Sequence, residues 1–262
     1  MLSGMTAVEL PGKDLVGIRA ANPGPFTLSG TNSWIVGRDP AWLIDPGPPL
    51  IEHLAALGRE IERRGGLAGI LLTHDHPDHS AGVEAVRLWF PDAELAAARG
   101  AVDRRLAGGD AIAGITAIAT PGHAPDHLAF VYDRVAFTGD AVLGEGSVFV
   151  NPDPGALAGY LRGLEVLRAL DLEVIAPGHG PPVCDPAAKL DQYIAHRMDR
   201  ERRLVSALAS GRRTVEELLA EVWSDAPENL HLPAAATLAA HLDKLEAEGR
   251  LPAGVERPQT RW

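Results

Sequence analysis

The sequence predicts an α/β chain, sheets covered by helices, followed by a small all-helical segment. Three observations predict it. Short apolar runs of strand length recur between turns rich in Pro and Gly. Amphipathic helical periodicity alternates with those runs, which excludes an all-helical or an all-β chain. After Cys184 the strand signals stop and three helical patterns follow in succession.

Residues 15–20, 31–37 and 41–45 read as strands, separated by Asn22-Pro-Gly-Pro and Gly37-Arg-Asp-Pro. Residues 49–64 have helical periodicity through Leu50, Ile51, Leu54, Leu57 and Ile61. A buried strand over 67–72 and a helix over 80–90 come next. Strand-like runs recur at 114–119, 127–132 and 134–138, a helix fits 155–170, and a strand fits 173–176. A long amphipathic helix then spans 186–209. A helix with a capping-box start follows at Thr214, then a third over 233–248 with Gly249 at its stop. Two domains are expected, 1–185 and 186–262. The second has the helical layout of a winged-helix or helix-turn-helix module.

Of the 262 residues, 46% are hydrophobic, enough for a core of ordinary size, and the formal net charge is −11. Residues 1–185 carry 13 basic and 23 acidic side chains, whereas 186–262 carry 11 and 12. An acidic chain gains little from releasing the counterions of nucleic acid unless its cleft is locally basic. Arg197, Arg200, Arg202, Arg203, Arg212 and Arg213 are the local exception. They read first as a solvated helix face with carboxylate partners, and second as an attraction for an anionic substrate. Cys184 is the single cysteine, so neither an internal disulfide nor a thiolate zinc cluster is available. The N-terminal residues show no basic start followed by an apolar segment, and no apolar run approaches the roughly 20 residues of a membrane span. A cytoplasmic compartment without membrane association is expected.

The chemistry is concentrated in Thr73-His-Asp-His-Pro-Asp-His79, an H-x-H-x-D-H array closing the 67–72 strand. A core gains nothing from several imidazoles side by side, whereas a metal ion does. Alternation along an extended segment lets His74 and His76 face one ion. Asp78 and His79 fall at the start of the next helix, displaced enough to serve a second. One loop cannot fill two coordination spheres. Further ligands are offered where other strand-like runs end, in Thr120-Pro-Gly-His123, Phe137-Thr-Gly-Asp140 and Pro177-Gly-His179. Glycine beside each lets the backbone turn sharply.

This order of motifs resembles the metallo-β-lactamase superfamily over nearly the first 185 residues. Asn22-Pro-Gly-Pro-Phe-Thr-Leu-Ser-Gly-Thr-Asn32, Thr120-Pro-Gly-His-Ala-Pro-Asp-His127, Thr138-Gly-Asp-Ala-Val-Leu-Gly-Glu-Gly146 and Pro227-Glu-Asn-Leu-His231 resemble the β-lactamase-like protein 2 family more closely. The resemblance implies a four-layer αββα sandwich with a small winged-helix-like C-terminal domain. It implies two Zn2+ ions, other divalent metals being an alternative. His74, His76 and His123 would hold one and Asp78, His79 and His179 the other, with Asp140 bridging. It also matches Asp45, in Trp42-Leu-Ile-Asp-Pro-Gly, to an aspartate that orients the ligand loop by hydrogen bonding.

The expected chemistry is hydrolysis by a hydroxide that bridges the two metals. Asp78 is a catalytic candidate that orients the attacking water or accepts its proton. His127 is a candidate donor to the leaving group, or equally a structural histidine behind the ligands. Members of the resembled family act on single-stranded RNA and related members on acyl-carrier thioesters. A phosphodiester of single-stranded RNA is therefore the first expectation, and a thioester or glyoxalase-type acyl substrate the second. β-Lactam hydrolysis ranks lower, and a flavodiiron-type reductase lacks its flavin domain. A sequence-reading DNA-binding protein is disfavoured, because the 233–248 helix offers Ala, Leu and acids where groove recognition needs Arg, Lys, Asn or Gln. The family often forms homodimers, but no interface is legible in the residues.

Overall fold

Strands form where short β-branched and aromatic runs lie between turns. The computed structural model describes residues 7–10, 12–226 and 231–259. The Pro227–Leu230 part of the Pro227-Glu-Asn-Leu-His231 motif lies outside them. The chain divides into two compact units. The first takes the described residues within 1–119, 126–146 and 171–186, and the second those within 120–125, 147–170 and 187–262.

In the first unit, β1 (Ala7–Glu9), β2 (Leu15–Arg19), β3 (Asn32–Val36), β4 (Ala41–Ile44), β5 (Leu67–Leu71), β6 (Glu94–Ala97) and β7 (Arg104–Arg105) make a seven-stranded sheet in sequence order. Pairing is antiparallel from β1 to β4 and parallel from β4 to β7. A second sheet runs β12-β11-β10-β9-β8. Its strands are β8 (Ala111–Ile112), β9 (Ile115–Ala119), β10 (Leu128–Tyr132), β11 (Val135–Gly139) and β12 (Val174–Pro177), and only its β11–β12 pair is parallel.

Strand alternation builds the layers. Trp34, Val36, Trp42, Ile44 and Leu71 share a core with Ile115, Phe130, Phe137 and Ala176 of the other sheet. The intervening Ile35, Leu43 and Ile70 face Leu54, Leu57 and Ile61 of α1 (Ile51–Arg63). Burying each such side chain contributes about 1.5–3 kcal/mol. Helix, sheet and sheet thus stack as three layers within this unit. Ile51, read from the sequence as part of the buried stripe, is 80% exposed at the first turn.

The helix expected over 80–90 is two helices, α2 (Pro77–Ser80) and α3 (Val83–Trp89). The break falls at Gly82, whose N–H donates to Gly47 O at 2.8 Å. A Cβ there would meet that carbonyl at 2.9 Å, so the chain bends around the turn carrying Asp45. β6 was not legible, because its two alanines have low β-propensity and its place is set by pairing with β5.

The second unit contains α4 (Ala156–Ala169), α5 (Pro186–Ala209, bar its first residue), α6 (Val215–Val222) and α7 (His231–Ala247). Leu204, Leu208, Leu218, Val222, Trp223, Leu238, Leu242 and Leu245 form one core, so the leucines of α7 pack inward. The capping box is present: Glu217 N–H donates to Thr214 Oγ1 at 3.2 Å, and Thr214 N–H to Glu217 Oε2 at 3.1 Å. Gly249 has φ +67° and ends α7 with paired bonds, its own N–H to Glu246 O and that of Arg250 to Leu245 O.

The arginine stretch has internal partners in this unit, as the first reading expected for Arg202, Arg203 and Arg212. Arg197 and Arg200 are buried, not solvated. Arg197 donates to Ser147 Oγ and Val148 O, and Arg200 to Asp225 and Val222 O. Arg202 and Arg203 pair with Asp199, Arg212 with Glu221, and Arg213 donates to Leu208 O. Among the described residues, no helix is long and apolar enough to cross a membrane.

Candidate metal centre

Parallel pairing delivers the ligand loops to one edge of the first unit. Asp45 follows β4 and Thr73 follows β5, and Asp45 N–H donates to Leu71 O at 2.9 Å across that pair. Asp140 follows β11 and His179 follows β12, where Gly178 N–H donates to Gly139 O at 2.9 Å. Asn32 joins the two sheets here. Its amide donates to Pro177 O at 3.0 Å and to Gly180 O at 2.9 Å, and its N–H to Gly178 O at 2.7 Å.

Four side chains converge. His79 Nε2 and His179 Nε2 are 3.3 Å apart. Asp140 Oδ1 lies 3.3 Å from the first and 3.2 Å from the second, and Asp78 Oδ2 lies 3.5 and 3.2 Å from them. A tetrahedral ion with ligand bonds of about 2.0–2.1 Å has ligand–ligand edges of about 3.3 Å. The five separations, 3.2–3.5 Å, are close to such an edge, so His79 and His179 together with either carboxylate offer donor atoms at the spacing a small divalent cation needs. Beside them, His74, His79 and Asp140 offer a second group of ligand atoms within 4.8 Å of one another. His74 and His76 lie with ring centroids 4.5 Å apart.

The hydrogen bonds fix which imidazole nitrogen faces the cluster. Asp45 is the anchor. Its Oδ1 accepts from Thr73 N–H at 2.8 Å, and its Oδ2 accepts from Thr73 Oγ1 at 2.7 Å and from His79 Nδ1 at 2.8 Å. Thr73 Oγ1 has spent its proton on Asp45 and accepts from His74 Nδ1 at 3.0 Å. His179 Nδ1 donates to Gly30 O at 3.3 Å. Three imidazoles thus carry the proton on Nδ1 and leave Nε2 for a cation. The Asp45 expected from sequence to orient the loop does so. Thr73, Thr31 and Gly30 O were not singled out, since only the fold brings them here. Thr31 Oγ1 donates to Asp78 Oδ2 at 3.4 Å and is itself held by Asn22.

The charges tell the same story. Burial, the largest single effect, opposes protonation of His79 and His179, but Asp140 with Asp45 at His79 and Asp140 with Asp78 at His179 together outweigh it, and His179 is pushed up to about 9. Burial likewise opposes ionisation of Asp140 and Asp78. The facing histidines overcome it and hold both carboxyls below the usual range, Asp140 far below. The cluster is built to stabilise positive charge.

His127 is buried, with its ring 4.9 Å from that of His74, and its Nε2 accepts from Asp140 N–H at 3.1 Å. His123 belongs to the second unit, where it is buried with its ring edge-on to Phe149. The preceding Gly122 has φ +151°, and a Cβ there would meet Tyr160 Cβ at 2.6 Å, so this turn requires glycine.

Comparison with known proteins gives the following. The family model of the metallo-beta-lactamase superfamily matches residues 26–105 and 102–179, and that of the beta-lactamase associated winged helix domain matches 214–262. An atrochrysone carboxyl ACP thioesterase of Aspergillus chevalieri is 35% identical over 237 residues, covering 82% of this chain and 75% of its own length. A beta-lactamase-like protein 2 homolog of Caenorhabditis elegans is 32% identical over 247 residues, covering 87% and 82%. The crystal structure of a beta-lactamase domain protein from Burkholderia ambifaria has the same fold, with a TM-score of 0.77 at 22% identity over 93% of this chain and 89% of that one.

Proposed function

This chain belongs to the metallo-beta-lactamase superfamily and carries its associated winged helix, and from that premise we propose a hydrolase working with two zinc ions. The close spacing of donor atoms about His79 and His179, with Asp78 and Asp140 each 3.2–3.5 Å from both, carries the reading. In it, Asp78, His79 and His179 would hold one ion and His74, His76 and His123 the other, with Asp140 as a ligand shared between them. The place of His123 rests on its position in the motif order. The catalytic domain spans 1–185 and the winged-helix-like domain 186–262.

Two divalent ions supply a water of lowered pKa and polarise the substrate oxygen. The residues of the chain do the rest. Asp45 and Thr73 keep His74 and His79 in the tautomer that presents Nε2. Asp78, steadied by Thr31, orients the water or takes its proton.

An acyl thioester is the favoured substrate. The six arginines from Arg197 to Arg213 have partners within their own unit, Arg197 and Arg200 being buried, which weakens the case for a strongly positive surface that RNA would need. Beside the ligand loop, the carboxylates of Asp75 and Asp126 bear on Arg99, leaving the locality acidic. The 35% identical relative is named a carrier-protein thioesterase. Single-stranded RNA, the first expectation from sequence, becomes the second reading.

The test is parallel assay of S-acyl thioesters and a fluorescent RNA oligonucleotide, each with a chelator control and metal analysis. Chelator-sensitive thioester cleavage with two zinc ions per chain is expected. Faster RNA cleavage would reverse the order of substrates. Asp140→Ala should lose bound metal and slow hydrolysis on the order of a thousandfold or more. Full activity with metal still stoichiometric would sink the assignment.

A further inference from the structure

His127 differs from the clustered histidines in one respect. His74, His79 and His179 give Nδ1–H to Thr73 Oγ1, Asp45 Oδ2 and Gly30 O, and turn Nε2 inward. The Nε2 of His127 instead accepts a main-chain proton, from Asp140 N–H at 3.1 Å. A nitrogen accepting that bond has its lone pair engaged. That nitrogen therefore neither ligates a cation nor donates a proton in this arrangement. The ring is 1% exposed and stacks on His74 with 30° between the planes.

The backbone is shaped for this contact. Gly139 has φ +46°, and a Cβ there would lie 2.8 Å from His127 Nε2 and 2.6 Å from Thr73 Oγ1. Glycine lets the strand end close enough for Asp140 N–H to reach the ring. One imidazole thus holds the backbone of Asp140 and the ring face of His74.

We propose that His127 is a positioning residue, which locks the Asp140 main chain against His74 and so sets the cluster for its ions, its Nε2 being held by that backbone bond and not donating to the leaving group. The inference rests on the two-ion reading for the part Asp140 plays. In the neutral ring the proton then sits on Nδ1, a statement that can be checked without any variant.

The experiment uses the full zinc-loaded chain, as wild type, His127→Leu and His127→Gln. Leu fills the space without an acceptor, whereas Gln Oε1 can replace Nε2. Zinc retention is measured against a chromophoric chelator, and hydrolysis is measured across pH. Leu should weaken retention by about ten- to a hundredfold, the usual effect of removing a group behind a ligand. Gln should recover at least tenfold relative to Leu, with the wild-type pH profile. Unchanged retention in Leu, or no recovery in Gln, overturns the proposal. So does Gln with wild-type zinc but a lost acid limb in its pH profile, which would make the ring a proton donor. Two-bond 1H–15N correlations on wild type should show the Nδ1–H form of His127. An Nε2–H form overturns the proposal even where the Leu variant fails to fold. Zinc retention needs no substrate, so a wild type that binds two ions yet cleaves neither substrate sinks the hydrolase reading alone.

Discussion

His179 of the first unit and His241 of the second are both buried, with opposite results. In the first, His179 sits among carboxylates and its pKa is driven up to about 9 against the effect of burial. In the second, His241 is equally inaccessible, but its pKa falls to about 3, first through burial and then through Arg197, Lys244, His196 and Arg200. Nearby His196, half-buried between arginines, is lowered to about 4 for the same reasons. Burial alone therefore does not mark a metal site. The sign of the neighbouring charge does, because a cation is stabilised where imidazoles face acids and repelled where they face guanidinium groups.

The comparison breaks most sharply at Thr73. Thr73→Val keeps the shape but removes the hydroxyl that links Asp45 Oδ2 to His74 Nδ1. Metal affinity should fall by about ten- to a hundredfold, and hydrolysis with it. Competition with a chelator measures the first. Retained affinity would mean that Asp45 and the loop backbone orient His74 without help.

Thr73 also shows where sequence reading stops. His74, Asp78, His79, Asp140 and His179 were legible because ligand-type residues stood together or closed apolar strands beside glycine. Their order along the chain carried the family, and with it the role of Asp45. The groups that orient them were not legible. The Thr73 hydroxyl links His74 to Asp45 across 28 residues, and the carbonyl of Gly30 reaches His179 across 149, so both act only once the chain has folded. Gly82 is ordinary in sequence, and only the approach of Gly47 O makes it a break between α2 and α3. The arginines divide the same way. Asp199 stands three and four residues before Arg202 and Arg203 on one helix, as a helix face with carboxylate partners requires, whereas Asp225 facing Arg200 and Glu221 facing Arg212 are set by how the chain packs.

A smaller effect sharpens the contrast through pH. The pKa of His241 is lower folded than unfolded, so the unfolded chain binds the extra proton. Above about pH 6.5 both states are neutral and nothing is lost. As pH falls from there towards 3, stability falls by about 1.4 kcal/mol per unit for this one group. His241→Leu removes that slope. Melting curves of the two proteins at pH 7 and pH 5 should therefore converge or cross as the wild type loses ground. A constant gap between them would mean that His241 finds a proton acceptor in the folded state.

The smallest expected effect tests whether the C-terminal arginines serve the substrate at all. Arg202 is 74% exposed in its side chain and Arg203 41%, and both lean on Asp199. Exposed pairs of this kind contribute about 0–1 kcal/mol, because water screens them and two long side chains lose freedom. The double replacement Arg202→Ala with Arg203→Ala should leave stability and thioester hydrolysis within about twofold of wild type, at low and at high salt alike. Salt is the informative variable. An anionic substrate steered by these groups would bind more weakly as ionic strength rises, and removing them would flatten that dependence. A steep salt dependence of KM in the wild type that vanishes in the double variant would return the arginines to the substrate and restore RNA to first place.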